Sequence, residues 1–174
     1  GNTIDESVAL VTAANSVIQN PEQVGTALKT LALRLRGAKT ELEDASLDTE
    51  NMAENTAQLQ AKLKALTHGK VDIMLNADTF KSTTQILREM SDAWEEMTDI
   101  ECSAALELMG GKRQANILAS VIKNFETVED VIETSANSAG SALAENEKSL
   151  RVRISEISDY RLEKDRERSA LIDH

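Results

Sequence analysis

The single proline of the chain, Pro21, stands between an apolar run and the most regular hydrophobic period in the sequence. Proline clashes inside a helix but is preorganised for its first position, so it separates two helices rather than interrupting one. Asn20 is placed to cap the second helix, and Gln23 would complete a capping box with it. Behind the turn, Val24, Leu28, Leu31 and Leu35 recur at spacings of 4, 3 and 4, which is one buried stripe of an amphipathic helix. Lys29, Arg34 and Arg36 fall off that stripe, and Gly37 is placed as the C-terminal cap. Upstream, Thr3 and Glu6 pair as a capping box ahead of Val8, Val11, Ala14 and Ile18, with an end expected near Gln19. The expectation is two helices meeting in a hairpin or corner. Gly25 either admits a second backbone or is simply a tolerated helix glycine.

What surrounds this hairpin is limited by the shortage of aromatic residues. Phe80, Trp94, Phe125 and Tyr160 are all there are, so the core must be built from Leu, Ile, Val, Met and Ala. Together with abundant Glu, Lys and Gln, that composition favours helix. A chain of 174 residues fits one domain with room for a small second unit. It can bury roughly two-thirds of the surface its unfolded form exposes. The expected class is mainly α: an irregular multi-helix domain of about six to eight helices.

Along the chain, residues 38–50 are polar and acidic without a sustained period and read as a loop. Met52, Leu59, Leu63 and Leu66 predict a helix over about 51–66, with Gly69 after it. Residues 70–75, KVDIML, alternate with Val71, Ile73 and Leu75 on one side, predicting a short strand near 70–75. No second strand is evident, so its partner would come from a loop or another copy of the chain. A strong helix from Thr79 to about Met97 would bury Phe80, Thr83, Leu87, Met90, Trp94 and Met97. Thr98 and Glu101 make a capping box that opens a helix through Leu106 and Met109, ended by Gly110 and Gly111. Residues 112–123 predict a helix facing inward through Ala115, Leu118 and Ile122. Phe125, Val128 and Ile132 predict a short one, broken around Gly140. A last helix from about 142 begins amphipathic, through Leu143, Leu150, Ile154 and Ile157, and becomes almost purely charged. Residues 1–147 therefore read as one helical domain and 148–174 as a charged C-terminal helical extension.

Charge and special chemistry narrow the function classes. The net charge of −11 argues against direct duplex DNA binding and against an anionic membrane surface. No apolar window approaches the ~20 residues of a membrane span. Residues 89–109 hold Glu89, Asp92, Glu95, Glu96, Asp99, Glu101 and Glu107 and no base, and 124–147 are likewise acid-only. Cys102 is the sole cysteine and predicts an inert thiol rather than a nucleophile. GGKR at 110–113 fails the phosphate-loop pattern, because Leu106 stands where a glycine is required and Arg113 where Ser or Thr is. His68 and His174 form no zinc-ligand spacing. No pair among Asp72, Asp78, Glu95 and Glu96 is marked for acid–base chemistry. The residues suggest no catalytic site, no metal site and no cofactor.

Three stretches in order resemble the conserved region of phage tail tape-measure proteins: TAANSVIQNPEQVGTALKTLALRLRG at 12–37, FKSTTQILREMSDAWEEMTD at 80–99 with GGKRQANILASVIKNF at 110–125, and NSAGSALAENE at 137–147. The resemblance covers about 12–147. It implies a structural protein of tail assembly and tail-length determination, made in the host cytoplasm and housed in the virion tail. Its partners would be tail tube or assembly proteins, and no catalytic residue carries over. The matching positions are Asn20, Pro21, Gly25, Leu28, Arg34, Gly37, Gly111, Lys112, Arg113, Gln114, Asn137, Ser138 and Gly140, which the resemblance makes architectural. Family members are many hundreds of residues long, whereas this chain, even fully helical, would span at most about 260 Å. It would be a compact domain of such a ruler or a remnant of one, and 148–174 depart from the family continuation.

A different class remains open from the residues themselves. The acid-only segments would suit a stand-alone helical binding or adaptor module for a basic protein partner. Under either reading, the amphipathic hairpin, the KVDIML strand and the C-terminal helix predict a homo-oligomer.

Overall fold

A computed structural model describes residues 4–144 of the chain, with side chains placed over 7–136. Eight α-helices lie in the described part: α1 (Ile4–Ile18), α2 (Pro21–Leu35), α3 (Lys39–Asp44), α4 (Thr56–Leu66), α5 (Thr83–Ala93), α6 (Asp99–Gly110), α7 (Ala115–Lys123) and α8 (Phe125–Ala144). Two short strands, β1 (Met74–Asn76) and β2 (Thr79–Phe80), form an antiparallel hairpin between α4 and α5. The protein is mainly α, as its composition predicts. The described residues up to 129 belong to one compact unit and those from 130 on to a second. Of the second, the described part continues α8, where Thr134 donates to the Asp130 carbonyl at 2.8 Å. The expected boundary at 147/148 lies outside the described residues.

Helix α2 is the hub of the first unit, packing on α1, α3, α5, α6 and α7. The predicted stripe of Val24, Leu28, Leu31 and Leu35 is buried throughout. A second row of Ala27, Thr30 and Arg34 is buried beside it, so α2 is enclosed on a wider face than a surface helix. The helix closes with a Schellman motif. Gly37, at φ +66°, donates to Arg34 O, and Ala38 N–H returns to Leu33 O at 2.9 Å.

Elsewhere the structure corrects the expected boundaries and faces. Helix α1 buries Leu10, Ala13 and Ala14, while Val8 is 59% exposed and Val11 and Ile18 are half-buried. Its expected capping residue, Thr3, lies outside the described residues. At the next cap, Asn20 makes no side-chain bond to the helix backbone; its amide meets Gln23 Oε1 instead. The turn into Pro21 is made by Gln19 at φ 55°, whose N–H reaches Asn15 O. Within 38–50 a short helix, α3, forms around the buried Leu42, because one apolar anchor suffices when α2 lies alongside. Helix α4 starts at Thr56 rather than near 51, since Asn55 caps it by accepting from Gln58 N–H.

The strand reading changes most. Val71 and Ile73 are buried, but pairing begins only at Met74, Leu75 points outward at 62% exposure, and the partner is the local pair Thr79–Phe80. Thr79 and Phe80 are strand, not helix, and α5 begins after Ser82, whose hydroxyl accepts from Gln85 N–H. Trp94–Glu96 tightens into a 3₁₀ turn, and Trp94 is only half-buried. Ile86, Val121 and Ala105 join the core, whereas Ala115 is half-buried. The capping box of Thr98 and Glu101 forms in both directions. Helix α8 runs through Gly140 to Ala144 without the expected break.

Candidate functional site

The position that most concentrates bonding is Arg34. Its exposure is 2%, on a side chain that normally keeps its head in water. The guanidinium answers burial by spending its donors on backbone carbonyls. Nη1 donates to Asp48 O at 2.9 Å, and Nη2 donates to Glu50 O and Glu107 O, each at 2.9 Å, with Leu108 O at 3.3 Å. A planar fork with several hydrogens can serve carbonyls from two chain segments at once; a lysine ammonium cannot match that geometry.

The carbonyls come from two places that need a donor. Glu107 and Leu108 lie in the last turn of α6, where the dipole is negative and carbonyls run out of helical donors; Glu107 O still accepts from Gly111 N–H. Asp48 and Glu50 lie in the loop between α3 and α4, which has no ladder of its own. Arg34 thus joins three segments: the end of α2, the 45–55 loop and the end of α6. Burial pulls the Arg34 pKa below its ordinary value, and the Asp48 carboxylate pushes back against that shift.

Gly111 completes the arrangement from the α6 side. Its N–H donates to Glu107 O at 2.8 Å, and its φ of +82° is a left-handed backbone suited to glycine. A Cβ there would come within 2.8 Å of Asp48 Cγ, so the Asp48 side chain lies directly against the glycine backbone. Asp48 Oδ1 accepts from Glu50 N–H at 2.8 Å, which holds the loop carbonyls toward Arg34. Gly37 borders the same region, 3.4 Å from Thr56 Cγ2 to where its Cβ would lie.

Of the residues matched by resemblance, Arg34, Gly37 and Gly111 are therefore brought together. The others are dispersed. Asn20 and Pro21 form the α1–α2 corner. Gly25 meets no second backbone: nothing lies within 4 Å of its would-be Cβ, and with Leu28 it lines an apolar cleft of about 180 Å³ between α1 and α2. Lys112 and Arg113 are exposed on a 3₁₀ turn beside the half-buried Gln114. Asn137, Ser138 and Gly140 lie in α8, in the second unit.

A second set of polar ties binds the segment after α4. His68 takes the left-handed position of a Schellman motif (φ 56°) and its Nε2 lies 2.8 Å from Glu101 Oε2. Lys70 pairs with Glu96. Asp72 accepts from Gln60 Nε2 and Met74 N–H and pairs with Lys64 at 3.2 Å. Burial raises the Asp72 carboxyl, but the Met74 N–H, the Gln60 amide and Lys64 outweigh it and hold it below its usual range. Glu89 accepts from Asp72 N–H and from Lys81, joining the two flanks of the β hairpin to α5. Bases outside 89–109 thus meet Glu89, Glu96 and Glu101 of the acid-only run. The acidic run is tied into the fold rather than uniformly solvated.

Cys102 is half-buried, and burial, then Asp99 and Glu101, push its thiol up, away from a reactive thiolate. GGKR forms a helix stop and a 3₁₀ turn, with Gly111 N–H already bonded to Glu107 O. Among the described residues, no three His, Cys, Asp or Glu side chains are grouped to hold a metal ion, and no helix is long and apolar enough to cross a membrane.

Neither a family model nor a solved structure matches the chain.

Proposed function

We propose that the chain is a structural segment of a phage or prophage tail tape-measure protein, acting through protein–protein contacts in tail assembly and tail-length determination. The observation that carries the reading is the ordered resemblance over 12–147. The placement of Arg34, Gly37 and Gly111 supports it, because residues named as architectural serve backbone geometry and helix ends. The domain would sit in a longer ruler, contacting tail tube or assembly proteins in the virion tail after synthesis in the host cytoplasm. It would also associate with copies of itself. The β hairpin weakens one ground for that, since β1 finds its partner within the chain; the amphipathic α1–α2 hairpin, with its apolar cleft, stays as a ground, and the exposed Val8 and Ile100 add to it.

Genes beside this one should encode tail tube, assembly-chaperone or baseplate proteins, and co-expression with them should yield a stable complex. A locus without tail genes, and no complex with tail proteins, would overturn the proposal. The reading as an adaptor for a basic protein rests on Asp92, Glu95 and Asp99, exposed acids with no ion pair among the described residues. It predicts a host partner released by salt, and a lysate pull-down repeated at high salt separates the two readings.

A further inference from the structure

The carbonyl fork leaves one nitrogen of Arg34 without a protein acceptor. Nη1 and Nη2 are engaged by Asp48, Glu50, Glu107 and Leu108, but no protein atom accepts from the buried Nε–H. A guanidinium N–H kept from both protein acceptors and water is costly in a site this enclosed. Arg34 also walls a small notch, with Gly37, Met52, Asn55, Thr56 and Leu108 among its neighbours. The notch has a volume of about 10 Å³, close to what one water needs.

We propose that this notch is a binding site for a single structural water, held by the Arg34 Nε–H and by polar atoms of Asn55 and Thr56. Such a water would link the end of α2 to the N-terminal turn of α4, a connection the direct hydrogen bonds of Arg34 do not make. A small anion is the competing occupant, since a cation and a helix N-terminus both line the notch. Size and charge decide against it. The space suits one water, Asp48 already offsets the Arg34 charge, and the chain carries a net charge of −11.

The test is a high-resolution crystal structure of the full chain, with a second crystal soaked in bromide and measured for anomalous scattering. The expected result is one ordered water at roughly 2.7–3.2 Å from Arg34 Nε and no bromide signal in the notch. An anomalous peak there would make the site anionic and overturn the proposal. A notch closed by a side chain, or clear density for an Nε–protein bond, would overturn it as well. Water relaxation dispersion in solution gives an independent reading: one long-lived water in the wild type, lost in Met52→Phe, which fills the notch while keeping Arg34. An unchanged dispersion signal in a folded Met52→Phe protein would contradict the assignment.

Discussion

Arg34 donates to the carbonyl of Glu107, 73 residues further along the chain, at 2.9 Å. One side chain on α2 thereby closes the last turn of α6 and, through its other donors, secures the loop at 48–50. Hydrogen bonds from a charged group carry more energy than neutral ones, and here four backbone carbonyls are served by one buried guanidinium.

Arg34→Met should therefore destabilise the protein by about 3 kcal/mol or more, because it removes charge-assisted bonds to carbonyls of two separate segments. Arg34→Lys should recover only part of that loss, because an ammonium cannot reach both segments. Urea unfolding followed by circular dichroism measures both. A Lys variant as stable as the wild type would show that charge alone, not the fork, matters here.

Two glycines should respond in opposite directions to the same substitution. Gly111→Ala forces a Cβ onto Asp48 at a left-handed φ and should cost about 1–3 kcal/mol. Gly25→Ala adds a methyl to a helix interior with open space beside it and should stabilise by about 0.5–1 kcal/mol. Thermal midpoints of the two variants read this directly; a shift in the same direction for both would contradict the placement of these backbones.

The helix start at Thr98 gives a smaller, local effect. Its hydroxyl accepts from Glu101 N–H, and Glu101 accepts from Thr98 N–H in return. Thr98→Ala should cost about 1 kcal/mol and raise amide exchange in the first turn of α6 before elsewhere. Uniform exchange across the domain would argue against a local cap.

Acid should loosen the segment around β1. Asp72 is held below the ordinary carboxylate range, so its contribution is fully present above the unfolded-state value, about pH 4, and is lost as pH falls through the folded-state value. Stability of the wild type should therefore fall over that acid window, and Asp72→Asn should fall less steeply. Denaturation midpoints across the pH series test the sign. A steeper acid loss in the Asn variant would reverse it.

Most of the helical fold was legible because it follows from local chemistry. The Val24–Leu35 stripe, the Thr98–Glu101 box and the glycine stops at Gly37 and Gly111 each depend on neighbours within one or two turns. Arg34 was not legible. By periodicity it lies beside the apolar stripe and looks like a solvated cation, and only the arrival of the 45–55 loop and α6 turns that side inward. The same holds for α3, whose single anchor Leu42 gives no period. The β hairpin was hidden because Thr79–Phe80 is too short to announce a strand and its pattern merges with that of α5. The resemblance did single out Arg34, Gly37 and Gly111, but without saying that they meet.

The proposed function is tested most directly by electron microscopy of particles produced from the source strain with and without an in-frame deletion of this gene. Deletion should abolish tails or leave them without a defined length. Tails of unchanged number and length in the deletion strain would contradict it.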